Sequence, residues 1–123
     1  MSMNRDGSGK AMDFYDKSTP PGWRPGESNC PLQRYLDLLK VWTTLTDLDP
    51  DKVAVAAAGR LQGRVQTLAF GLTIRKQDGT VVRGIEALQF QGERAHGQQP
   101  ATQSGLQALT ATLRAKYGAI DQD

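Results

Sequence analysis

Between Pro31 and Leu45, apolar side chains recur at Leu32, Tyr35, Leu36, Leu39 and Trp42, with spacings of three, one, three and three residues. An α-helix, at about 3.6 residues per turn, gathers such positions on one stripe, and a stripe that rich must be buried against other elements. Arg34, Asp37 and Lys40 then fall on the wet side. Asn29 is a good N-cap, Pro31 suits the first turn, and the helix is expected to end near Leu45.

The rest of the chain supplies what that stripe packs against. Asp49-Pro50 repeats the pattern of a capping residue followed by proline, and Asp51 favours the positive end of a helix dipole. Val53, Ala56, Ala57, Leu61, Val65, Leu68 and Leu72 continue a helical period. Gly59 and Gly63 weaken it, so a break between them and two consecutive helices are expected. Beyond Leu72, Asp78-Gly79 lies between the β-branched segments Thr73–Lys76 and Thr80–Arg83, which signals a hairpin, with a loop and short helix as the competing reading. Ile85, Leu88 and Phe90 suit one more helical turn. The Gln- and Gly-rich run 91–104 reads as a mobile loop. Leu106, Leu109, Leu113 and Tyr117 form the last stripe, with Ser104 as candidate cap and Gly118 placed as a C-terminal glycine cap. Trp23, inside Thr19-Pro20-Pro21-Gly22-Trp23-Arg24-Pro25-Gly26, is expected to anchor an extended arm on the core.

The fold class that follows is mainly α, a small bundle of about four to five helices with a β-hairpin or loop insertion at about 73–84. Residues 1–18 read as a flexible tail in which Phe14 and Tyr15 are candidates to dock on the domain. A single domain spans 19–118, and 119–123 form a short tail. The expected core is Leu32, Tyr35, Leu36, Leu39, Trp42, Val53, Leu61, Leu68, Leu106, Leu109 and Leu113.

Chemistry is hard to build from these residues. The single cysteine, Cys30, rules out an internal disulfide or a Cys-x-x-Cys zinc cluster and suits a reducing, cytoplasmic compartment. The single histidine, His96, sits in the Gln/Gly run without a triad or metal-ligand partner nearby in sequence. No phosphate-binding glycine loop or nucleophile elbow is present. Asp47, Asp49 and Asp51 alternate like calcium ligands, but the glycine and distal glutamate of such a loop are missing, and helix capping accounts for them better. The apolar runs are too short for a membrane span. An enzyme, a cofactor, a metal, a small-molecule substrate and a membrane partner are therefore not expected. Binding or self-assembly is. Between Lys52 and Gly84 there are six basic residues and one acid. That asymmetry makes Arg60, Arg64, Arg75, Lys76 and Arg83 the candidates for RNA or other nucleic acid, against the simpler reading of a solvated face.

Several of these segments together resemble a known family. Pro20-Pro21-Gly22-Trp23, the helix carrying Tyr35-x-x-x-Leu39-x-x-Trp42-x-x-x-Thr46, Asp49-Pro50-Asp51-Lys52, and Leu61-x-Gly63-Arg64-Val65 are similar to the Gag capsid region of LTR retrotransposons. Gly105-Leu106 through Leu109, Leu113, Tyr117 and Gly118 is similar to a later helix of such proteins. The likeness covers about 20–72 and 105–118. Val65 stands where the family usually has alanine, 73–103 looks like an insertion, and no zinc knuckle is present. The resemblance implies an all-helical capsid N-terminal domain that packs into rings on a shell. Its partner would be further copies of itself, in the cytoplasm or in a virus-like particle. A helical adaptor holding a partner peptide in an apolar groove is the third expectation.

Overall fold

The computed structural model describes residues 17–26 and 30–118; Phe14, Tyr15 and Asn29 lie outside them. Among these residues there are five helices: α1 (Leu32–Leu45), α2 (Pro50–Gly59), α3 (Arg64–Phe70), α4 (Ile85–Gln89) and α5 (Gly105–Tyr117). A two-stranded antiparallel hairpin, β1 (Thr73–Arg75) and β2 (Val81–Arg83), lies between α3 and α4. The chain is thus a mainly α bundle with a small hairpin.

The apolar stripe of α1 is buried over its whole length, at Leu32, Tyr35, Leu36, Leu39 and Trp42. Pro31 sits one place earlier than expected, as the N-cap residue, where its carbonyl accepts from the Tyr35 amide. α2 begins with Pro50 at its first position and buries Val53, Ala54, Ala57 and Ala58. These small side chains let α2 lie close against α3, α4 and α5. Gly59 closes α2, and Gly63, at φ +69, opens α3. The two glycines therefore flank a corner rather than share a helix face. The turn buries Leu61 and Val65.

The hairpin turn is built as its residues require. The Gly79 amide donates to the Lys76 carbonyl, the Lys76 amide donates to Thr80, and Gly79 takes φ +90. A turn closed by a left-handed glycine is the usual three-residue hairpin loop, with the glycine as a bulge. Ile74 pairs with Val82 and faces the core, while Thr73, Arg75, Val81 and Arg83 alternate outward.

The segment 73–103 contributes to the core, for Ile74 is buried and Ala87 and Leu88 are fully buried on α4, which packs against α2 and α5. The run 91–104 is also more ordered than its composition suggests. Glu93 and Thr102 exchange both backbone hydrogen bonds, and so do His96 and Gln99 around a Gly97-Gln98 turn with Gly97 at φ +59. The Gln77 side-chain amide donates to the carbonyls of Arg94 and Pro100, tying this arch to the hairpin loop. The Glu93 carboxylate accepts from the Gln77 amide and the Thr102 hydroxyl.

α5 opens with a full capping box: Ser104 Oγ accepts from the Gln107 amide, and Gln107 Oε1 accepts from the Ser104 amide. Leu109 and Leu113 are fully buried, but Leu106 and Leu68, expected in the core, are only partly so. Leu106 lines two surface depressions instead. Gly118 stays right-handed at φ −61, so the helix does not end in a left-handed glycine cap.

The arm is held by Trp23, which is 4% exposed. Its backbone pairs with the α2–α3 corner, through Trp23 N to Arg60 O and Gln62 N to Trp23 O. Its ring stacks on Tyr35 at 5.7 Å and meets Tyr117 edge-on at 5.6 Å, and its Nε1 donates to Cys30 O at 2.8 Å. One arm residue thus joins α1, α5 and the α2–α3 corner.

Candidate functional site

The described surface holds two kinds of feature that can carry a function, basic side chains and exposed apolar ones. The five basic candidates do not form one surface. Arg60 lies at the end of α2, and its Nε donates to Pro20 O, so it braces the arm. Arg64 is the exposed first residue of α3. Lys76 turns toward Phe90, with its Nζ 6.0 Å from the ring centroid, a cation–π contact. Arg75 and Arg83 are the pair the fold brings together. Their register opposite Val81 and Thr73 puts both on the outward face of the hairpin. The Arg75 guanidinium also donates to Gly79 O, which steadies it.

The large apolar side chains left exposed among the described residues are Leu45 (50%), Leu48 (37%), Val81 (39%) and Ile85 (53%). They fall into two pairs. Leu45 and Leu48 flank the α1–α2 junction. Val81 and Ile85 flank the β2–α4 junction, where Gly84 at φ +60 turns the chain from strand to helix. The sequence pointed to Ile85 only as part of a helical turn and to Leu45 only as the end of α1, and to none of the four as an exposed contact residue. Leu45 sits at the edge of the α1 stripe and Ile85 two residues before buried Ala87, so spacing alone does not separate them from core positions.

Each pair carries its own charges. In the chain, Asp47, Asp49 and Asp51 alternate from the Leu45/Leu48 pair into α2. Asp49 occupies the N-cap position of α2, but its carboxylate makes no capping bond and instead meets Lys52 Nζ at 3.3 Å. Asp47 meets Lys17 Nζ at 2.8 Å, which raises the lysine pKa through the hydrogen bond and the opposite charge. The capping role expected for these two acids thus gives way to exposed ion pairs. Beside Val81 and Ile85 stand Arg75 and Arg83, with Glu86 following.

Two open depressions meet at Leu106. One, of about 280 Å³, runs between α1 and α5 over Leu36, Leu39 and Thr110. The other, of about 250 Å³, lies at the end of the bundle, lined by Leu48, Pro50, Val53 and Leu88. Neither contains a nucleophile paired with a base. Among the described residues no three His, Cys, Asp or Glu side chains cluster as metal ligands, and no helix is long and apolar enough to cross a membrane. His96 is exposed and its backbone is bonded to Gln99.

One buried polar group stands out. Tyr35 is fully buried, and among the described residues its hydroxyl has no hydrogen-bond partner. Burial first, and the neighbouring Cys30 second, push its pKa well above the ordinary tyrosine value.

Comparison with protein families, curated proteins and solved structures finds no match to this chain.

Proposed function

We propose that the chain is a structural protein, a Gag-like capsid N-terminal domain that assembles with copies of itself into a shell, in the cytoplasm or as a virus-like particle. The observation that carries this reading is the division of the exposed apolar residues into two separate pairs, Leu45/Leu48 and Val81/Ile85. Exposed apolar patches on a small domain commonly mark contact sites. A subunit in a ring or lattice must meet at least two neighbours, and two patches on different elements suit that need better than one. The segments that carry the capsid resemblance, the arm, α1, α2, α3 and α5, also supply most of the core.

Light scattering on size-exclusion fractions, over a range of protein and salt concentrations and paired with electron microscopy, tests the proposal. Mass should rise with concentration, and particles should be visible. A strict monomer under every condition would reject it.

A second reading, nucleic-acid binding, is favoured by Arg75 and Arg83 sharing the outward hairpin face. Binding of RNA should then weaken steeply with salt and fall in an Arg75→Ala, Arg83→Ala variant for all sequences alike. Arg60→Ala is a poorer probe, because it also releases the arm from Pro20.

A further inference from the structure

We infer that the two apolar pairs are the two halves of one contact: the Leu45/Leu48 patch of one copy seats against the Val81/Ile85 patch of the next. This rests on the assembly proposed above and names the surfaces that carry it. The charges argue for the pairing. Asp47, Asp49 and Asp51 alternate along the chain from the first pair into α2, and Lys17 and Lys52 are ion-paired with Asp47 and Asp49. Arg75 and Arg83 share the outward hairpin face with Val81, and Glu86 follows Ile85 in the chain. Exposed carboxylates thus accompany the first pair and guanidinium groups the second. A patch laid on its own kind would set carboxylates against carboxylates or guanidinium groups against each other, which disfavours a two-fold contact between like patches.

The existing ion pairs do not close the acidic patch. The carboxylate side chains of Asp47 and Asp49 remain 80% and 71% exposed. Exposed lysine pairs of this kind contribute little, and a guanidinium can engage a carboxylate through two parallel hydrogen bonds where an ammonium cannot. Arg75 and Arg83 can thus take over Asp47 or Asp49 from Lys17 or Lys52. Meanwhile Leu45, Leu48, Val81 and Ile85 lose their contact with water. Because the joined surfaces differ, the contact is head-to-tail. It leaves one free patch of each kind at the ends and continues until a ring closes.

Two variants test this. The first, Leu45→Lys with Asp47→Lys, spoils the acidic patch and leaves the basic one. The second, Arg83→Asp with Ile85→Asp, does the reverse. All four positions are exposed, and circular dichroism melts check that both variants fold. Each variant alone should self-associate at least about tenfold more weakly than the parent chain, as expected when a large apolar contact and an ion pair are lost together. Mixed, the two should form a one-to-one dimer and nothing larger, since only one good pair of patches remains.

Four outcomes overturn the inference. The parent chain assembles but both variants assemble as well as it does, which leaves the shell proposal standing and moves the interface elsewhere. The mixture stays monomeric although both variants fold. The parent chain stops at two copies. Or removal of residues 1–16 uncovers the leucine patch in a chain that was otherwise monomeric, which assigns the cover to the chain's own N-terminal segment. A parent chain that never associates rejects the assembly proposal itself. Loss of RNA binding in the second variant, with mass unchanged, assigns Arg83 to nucleic acid instead.

Discussion

Tyr35 shows how one side chain can be well placed and poorly satisfied together. Its ring belongs in the α1 stripe and stacks on Trp23, but its hydroxyl is buried without a partner among the described residues. An unmet buried hydroxyl costs roughly 1–3 kcal/mol, so Tyr35→Phe should keep the packing and raise stability by about 1 kcal/mol in urea unfolding. The raised pKa makes a second, signed prediction. The folded state holds the phenol proton more tightly than the unfolded chain does, so its contribution is whole below pH 10.0 and is lost as pH rises beyond it. The parent chain should therefore lose stability above about pH 10 more steeply than the phenylalanine variant. Identical alkaline curves would contradict the burial. Apolar spacing placed Tyr35 on the buried stripe. It carried no information on the hydroxyl, whose fate depends on what the tertiary packing brings near it.

Elements with a local cause were the ones legible in the sequence. α1 follows from its stripe, α2 from Asp49-Pro50, the α2–α3 corner from Gly59 and Gly63, and the hairpin from Asp78-Gly79. Asp78 Oδ1 accepts from both the hydroxyl and the amide of Thr80, and these two bonds hold its carboxyl below the usual range. The turn is therefore most stable above the ordinary carboxylate pKa and loosens as pH falls through the lowered one. The Thr80 amide resonance should move with that titration in the parent chain and stay fixed in Asp78→Asn. The 91–104 arch was not legible, because its ties run from Gln77 and Glu93 to partners nine to 23 residues away in the chain. Composition reports such a run only as polar. The start of α5 depends on a close approach that sequence also hides. A Cβ on Gly105 would collide with the carbonyls of Ala87 and Leu88. Gly105→Ala should thus cost about 1–3 kcal/mol despite alanine's better helix propensity, while Ser104→Ala should cost about 1 kcal/mol through the lost cap. A Gly105→Ala chain as stable as the parent would contradict the α4–α5 packing.

At the scale of the whole molecule, the stretch between α3 and α5 is part of the core. Ile74, Ala87 and Leu88 close the bundle against α2 and α5. The same stretch carries the basic, apolar patch outward. The basic residues between Lys52 and Gly84 were candidates for nucleic acid, against the simpler reading of a solvated face. Folding separates them, with Arg60 bracing the arm, Lys76 over Phe90, and Arg75 and Arg83 left together on the hairpin. What the sequence could not supply was the exposed pairs, because a leucine or isoleucine left in water looks the same in a sequence as one in the core.

The proposed assembly requires opposite patches of neighbouring copies to meet. The most direct measurement is light scattering of the Leu45→Lys/Asp47→Lys chain mixed with the Arg83→Asp/Ile85→Asp chain, beside each alone. Monomers apart and a one-to-one dimer together are expected. Folded variants that remain monomers when mixed, or that each assemble as fully as the parent chain, would contradict it.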